Sequence, residues 1–120
     1  MNSLNQKLKI ATILPYKENY TYSNAQAAAI WVCDFFKYSK YNKDNFIFGN
    51  TQGKDYLTKN YINIPIQYKK SKFISTTREY CRNFIKKIKG ENFEIIEVHN
   101  RPQILNILKK EIKTKFILYF

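Results

Sequence analysis

Acidic residues are scarce in this 120-residue chain: nine Asp and Glu stand against 21 Lys and Arg, a formal net charge of +12, and there is a single histidine. Two cysteines, three glycines and three prolines are the other shortages. Each excludes something. Cys33 and Cys81 form no Cys-x-x-Cys pair and each falls in an apolar helical pattern, so they read as buried reduced thiols ahead of a disulfide or a metal site. No Gly- or Pro-rich linker and no internal repeat divides the chain, so it is expected to hold one domain. No segment approaches the roughly 20 apolar residues of a membrane span. Met1 to Lys9 lacks the apolar core of a signal peptide. A cytoplasmic protein is expected, with peripheral membrane contact open to it.

What is present is core-forming material: 44% of residues are hydrophobic and 17% aromatic, enough for one packed domain. The basic balance, with a pI near 9.7, would draw anionic ligands, more weakly as salt rises. A+T-rich coding supplies a second source for it, since Lys far outnumbers Arg and is accompanied by abundant Asn, Ile and Tyr. The arginines are Arg78, Arg82 and Arg101, the lysines are spread along the chain, and no RNP or zinc-finger signature occurs. No nucleic-acid partner is expected.

Leu8 to Leu14, aliphatic and ended by Pro15, predicts a first strand. Ser23 and Gln26 have capping-box spacing and predict a helix from about Asn24 to Tyr38, apolar on most of its circumference and so buried against a sheet. Lys37 to Lys43 reads as a polar connection. Asn45 to Gly49 predicts a second strand, and Ile62 to Ile66 a weaker third, with Pro65 arguing for an edge or an irregular end. From Phe73 to Ile88 apolar residues recur at three- and four-residue intervals opposite a basic face, with Gly90 as the stop. Phe93 to Val98 predicts a strand. A helix from about Arg101 to Ile112 follows, with Asn100 and Gln103 as a second capping box and Pro102 in the first turn. Lys115 to Phe120 predicts a last strand. Because that strand ends the chain without a turn, the 120 residues read as the first part of a larger protein.

Strands alternating with helices, in apolar runs without clean in-out alternation, predict an α/β fold with a largely parallel sheet covered on both faces. Loops leaving the strand carboxyl ends then share one rim: Pro15 to Ser23, Gly49 to Gly53 and His99 to Arg101. Open α/β sheets bind ligands there.

The run Ile13-Leu14-Pro15-Tyr16-Lys17-Glu18, the helix start at Ser23 to Ala29, and above all Ile95-Ile96-Glu97-Val98-His99-Asn100-Arg101-Pro102 with Phe116 to Phe120 resemble the amino-terminal domain of a family 4 glycosyltransferase. The similarity is to enzymes that build lipopolysaccharide or other surface polysaccharides. It covers nearly the whole chain and about the first third of a typical enzyme. The resemblance implies a GT-B architecture of two Rossmann-like domains, of which this chain is an incomplete amino-terminal, acceptor-side half. It implies transfer of a sugar, with retention, from a nucleotide-sugar substrate to a saccharide or lipid-linked acceptor, with no metal and no other cofactor. The carboxyl-terminal donor-binding domain, and a histidine that often follows the strand matching Lys115 to Phe120, are absent, so the chain alone is expected to be inactive. Catalytic residues are therefore not assigned.

On that resemblance His99, Arg101, Tyr16 and Glu18 are expected to bind acceptor. His99 could equally bond neighbouring backbone, Arg101 could be an unliganded first-turn arginine, and Glu18 could pair with Lys17 in solvent. Tyr16, Tyr20 and Tyr22 offer a stacking platform. Family members often carry glycine near the first helix start, whereas this chain has Ser23-Asn24-Ala25-Gln26-Ala27; Ser23 and Asn24 remain weak candidates for donor phosphate through free helix N–H groups. The basic face of the Phe73 to Ile88 helix reads first as a solvated face, and it also suits an anionic inner leaflet, where enzymes of this kind that use lipid-linked acceptors work. Two other readings compete: a small basic module binding nucleic acid or anionic lipid without catalysis, and a stand-alone flavodoxin-like domain. The latter wants a Ser-, Thr- and Gly-rich loop after the first strand, and Pro15 to Tyr22 is not one.

Overall fold

A computed structural model of the chain describes residues 9–38, 44–66 and 75–119. Its elements run β1 (Ile10–Ile13), α1 (Ala27–Tyr38), β2 (Asn45–Gly49), β3 (Tyr61–Asn63), α2 (Thr76–Ile88), β4 (Ile95–His99), α3 (Pro102–Glu111) and β5 (Lys115–Tyr119). The five strands form one sheet in the order β3-β2-β1-β4-β5. All four pairings are parallel. This is an α/β fold with Rossmann-like strand order, and β3 lies at an edge as Pro65 suggested.

Alternation of side chains along each strand divides the core in two. Ala11, Ile13, Phe48, Ile96 and Val98 point to one face and meet Tyr80, Cys81, Phe84 and Ile88 of α2 and Ile104 and Leu108 of α3. Leu14 and Ile47 point to the other, beneath Ala29, Val32 and Cys33 of α1. Burial pushes the Cys81 thiol up to about 11, which keeps it protonated and inert. The second layer is completed by the connection between β2 and β3. There Tyr20 stacks on Tyr61 at 5.2 Å, and Tyr61 Oη donates to Thr51 Oγ1 at 2.6 Å. Thr21 bridges Tyr56, which ties the loop after β1 to the loop after β2.

Helix α2 is capped by Ser75, whose Oγ accepts from the Arg78 N–H at 3.2 Å, and Gly90, the predicted stop, takes the left-handed conformation, φ 85°, beyond its end. Neither of the two predicted capping boxes forms. Helix α1 starts at Ala27 and not Asn24, because the Ser23 N–H turns to Asp55 Oδ2 and the Ala28 N–H is taken by the distant Glu18 carboxylate at 2.9 Å. In α3 the N-cap is Arg101, without a side-chain bond, while Asn100 is left-handed at φ 58°. Strand β1 is shorter than predicted and Leu8 lies outside the described residues, as do Phe73, Ile74, Phe120 and most of the Lys37 to Lys43 connection. The predicted third strand is shifted to Tyr61–Asn63.

One prediction fails more broadly. Helix α1 is not buried around most of its circumference: its small residues Ala29 and Cys33 approach the sheet with Val32 and the partly buried Phe36, and its other large residues fall on the opposite side. Ile30, Trp31 and Phe35 are 50%, 47% and 45% exposed. No helix among the described residues is long and apolar enough to cross a membrane.

At the end of β2 a Cβ on Gly49 would lie 2.9 Å from Tyr61 Oη, an oxygen already held by Thr51 and Asn63. Gly49→Ala is therefore expected to cost about 1–3 kcal/mol of stability by overpacking, read as a lower urea midpoint with unchanged slope.

Candidate functional site

Strand order reverses between β1 and β4, which leave the sheet centre in parallel with Ile13 opposite Val98. Connections from the two strands depart in opposite directions at this point, opening a crevice at the strand carboxyl ends. Both loops bordering it hold a non-glycine residue in the left-handed region, Lys17 at φ 69° and Asn100 at φ 58°. Among the described residues these are the only two of that kind. Asn tolerates the conformation; a lysine there is strained, and such strain collects at ligand sites.

Helix α2 fixes the geometry of the first loop. The buried Tyr80 hydroxyl donates to the Leu14 carbonyl at 2.6 Å, and its ring lies 5.7 Å from that of Tyr16. Burial raises the Tyr80 pKa well above its ordinary value, so the phenol stays a donor at any physiological pH. The bond satisfies the carbonyl that Pro15 leaves at the strand end and sets the direction in which Tyr16, Lys17 and Glu18 depart. Nothing in the amphipathic spacing of Tyr80 separates it from an ordinary core residue, which is why sequence reasoning missed it.

Most of the predicted site residues are found at this rim, in different states. Arg101 is exposed, with one guanidinium N–H on its own neighbour's carbonyl, Asn100 O, at 3.2 Å. Tyr16 is half-buried beside Tyr80, and the ammonium of exposed Lys17 lies 5.7 Å from the Tyr16 ring. Glu18 is committed to the α1 N-terminus, where its charge complements the helix dipole, and is not a solvated partner of Lys17. Ser23 and Asn24 lie before the helix, bonded to Thr21 and Asp55, so the free helix N–H groups that made them phosphate candidates are not theirs. The three tyrosines make no common platform: Tyr20 is fully buried and Tyr22 is 71% exposed.

His99 closes β4 and is 4% exposed, with the Trp31 ring 5.3 Å away and tilted by 52°. Burial lowers its pKa from 6.5 to about 4, which leaves a neutral imidazole at pH 7. On the same side of the sheet Thr12 Oγ1 lies 2.8 Å from Glu97 Oε1 and 3.0 Å from Asn45 Oδ1, a buried polar row across three strands. The signal for that row was available: Thr12 and Glu97 are the polar residues inside two otherwise apolar strands. Among the described residues no group of three or more His, Cys, Asp or Glu side chains could hold a metal ion. The rim thus carries two exposed cations, Lys17 and Arg101, with a half-buried phenol packed on the α2 side of the sheet and a neutral, buried imidazole on the α1 side, and its exposed charge suits a polar ligand carrying negative charge.

No protein-family model, curated protein or solved structure matches this chain.

The buried imidazole has a direct consequence for stability. Above pH 6.5 the histidine is neutral folded or unfolded and contributes nothing; as pH falls from 6.5 toward 4 the unfolded chain takes the proton first and stability drops. The loss reaches on the order of 3 kcal/mol below about pH 4. His99→Gln is expected to remove that portion of the acid slope in urea melts, and the His99 ring signals in NMR to titrate near pH 4. Titration at or above 6.5 would contradict the burial.

Proposed function

We propose that this chain is the acceptor-side, Rossmann-like half of a retaining GT-B glycosyltransferase of family 4 type, serving surface-polysaccharide or lipopolysaccharide assembly on the cytoplasmic side and inactive without a donor-binding domain. The observation that carries the reading is the placement of the His99-Asn100-Arg101-Pro102 segment, the most distinctive part of the resemblance, at the reversal of strand order opposite the Tyr16-Lys17-Glu18 loop. Nucleotide sugar is the donor substrate and a saccharide or lipid-linked saccharide the acceptor, with no metal or other cofactor required.

In this reading Arg101 and Lys17 hold a phosphate or carboxylate of the acceptor, and Tyr16 covers a sugar ring from the half-buried side. His99 is a positioning residue: buried at the strand end, it supports the turn at Asn100 and does not meet the acceptor through an open face. Glu18 acts one step back, fixing where α1 begins. Donor phosphate contact through Ser23 and Asn24 is not part of the reading, since Glu18 occupies the helix start they were expected to offer.

Amide shifts of the isotope-labelled chain, titrated with a deacylated phosphorylated lipopolysaccharide core, are expected to move at Tyr16 to Glu18 and at Asn100 and Arg101. Arg101→Ala should weaken binding by about tenfold through loss of a charge-assisted bond, and UDP-glucose with the same acceptor should give no transfer by this chain. Shifts confined to other parts of the sheet, or tighter binding to single- or double-stranded nucleic acid across a salt series, would sink the reading and favour a non-catalytic basic module.

A further inference from the structure

We propose that the outward face of α1 seats in an anionic lipid bilayer at headgroup depth. Ile30, Trp31 and Phe35 are about half exposed and Tyr38 is 90% exposed, all on one side of the helix. The Trp31 and Phe35 rings stack at 5.2 Å, and a groove of about 370 Å³ runs past them to Tyr38. Trp, Tyr and Phe on one side of a surface helix, with cations nearby, are the composition of an interfacial membrane contact, where amphipathic rings sit between acyl chains and headgroups.

Charge selects the occupant. The chain carries +12, so a second copy is repelled while an anionic surface is drawn in over a Debye length. Lys37, exposed in the last turn of α1, adjoins Tyr38, and a basic residue beside such a face adds attraction to anionic lipid. Asp34 is the one acid on the face and works against the contact. This contact puts the aromatic α1 side against the lipid and leaves the basic face of α2 away from it. It is independent of whether the rim binds sugar, because pure phospholipid suffices.

Trp31 is the only tryptophan, so its emission reports the contact without a label. With vesicles of equal phosphatidylcholine and phosphatidylglycerol the emission should shift to the blue, be quenched by lipids brominated on the acyl chain, and revert as salt is raised; phosphatidylcholine alone should bind much more weakly. The exposed double substitution Ile30→Ser with Phe35→Ser should lower partitioning by about tenfold or more, with folding checked by circular dichroism. Asp34→Asn should raise it, whereas a saccharide-binding face would lose an acceptor of hydroxyl hydrogen bonds and weaken. Absence of binding, binding without a blue shift, a lipid-independent shift that grows with protein concentration, or weaker binding of Asp34→Asn would each overturn the proposal.

Discussion

Strand β1 is hydrogen-bonded along both edges, to β2 and to β4, and every one of its residues is buried. Where this strand ends therefore determines where two loops meet. The carbonyl of Leu14, the residue that follows the strand, is held by Tyr80 from the helix layer below, so α2, the parallel pairing and the Pro15 stop act on the same point. A backbone carbonyl at a buried strand end needs a partner, and an unmet one costs roughly 1–3 kcal/mol. The tyrosine supplies that partner and fixes the departure of the Tyr16-Lys17-Glu18 turn.

From that anchor the remaining features follow in sequence. Lys17 takes the left-handed turn that brings Glu18 back toward α1, and the Glu18 carboxylate replaces the capping serine that the local sequence advertised. Helix α1 consequently begins later and docks on small residues. Its large side chains Ile30, Trp31, Phe35 and Tyr38 are left on the outside, with Trp31 still reaching over His99. The same rotation that keeps the imidazole dry and neutral thus exposes an aromatic face, linking the crevice to the surface.

Much of the architecture was legible in the sequence because periodicity and stops agreed there. Asn45 to Gly49 is flanked by polar residues and emerged as β2, and the regular spacing from Tyr80 to Ile88 with Gly90 behind it emerged as the buried side of α2. Parallel order was legible from the alternation of helices with apolar runs. What failed were inferences that needed a distant partner. Ser23 and Asn100 have good capping spacing, yet Asp55 and Glu18 take the amides before and at the start of α1, and Asn100 turns left-handed and leaves the α3 cap to Arg101. The apolar content of α1 counted residues without distinguishing small from large, so it missed which side faces the sheet. At the site, His99, Arg101 and Tyr16 were marked by position relative to the strand ends, while Tyr80 and Trp31 carry no local signature and become visible only once long-range pairing is known.

The account stands on β1 and β4 being neighbours in parallel with Tyr80 closing the strand end. Nuclear Overhauser contacts measure this directly: parallel interstrand contacts between Ile13 and Val98, together with contacts from the Tyr80 ring to Leu14, are the predicted result. A contact pattern that pairs β1 and β4 antiparallel, or that separates Leu14 from Tyr80, would contradict it.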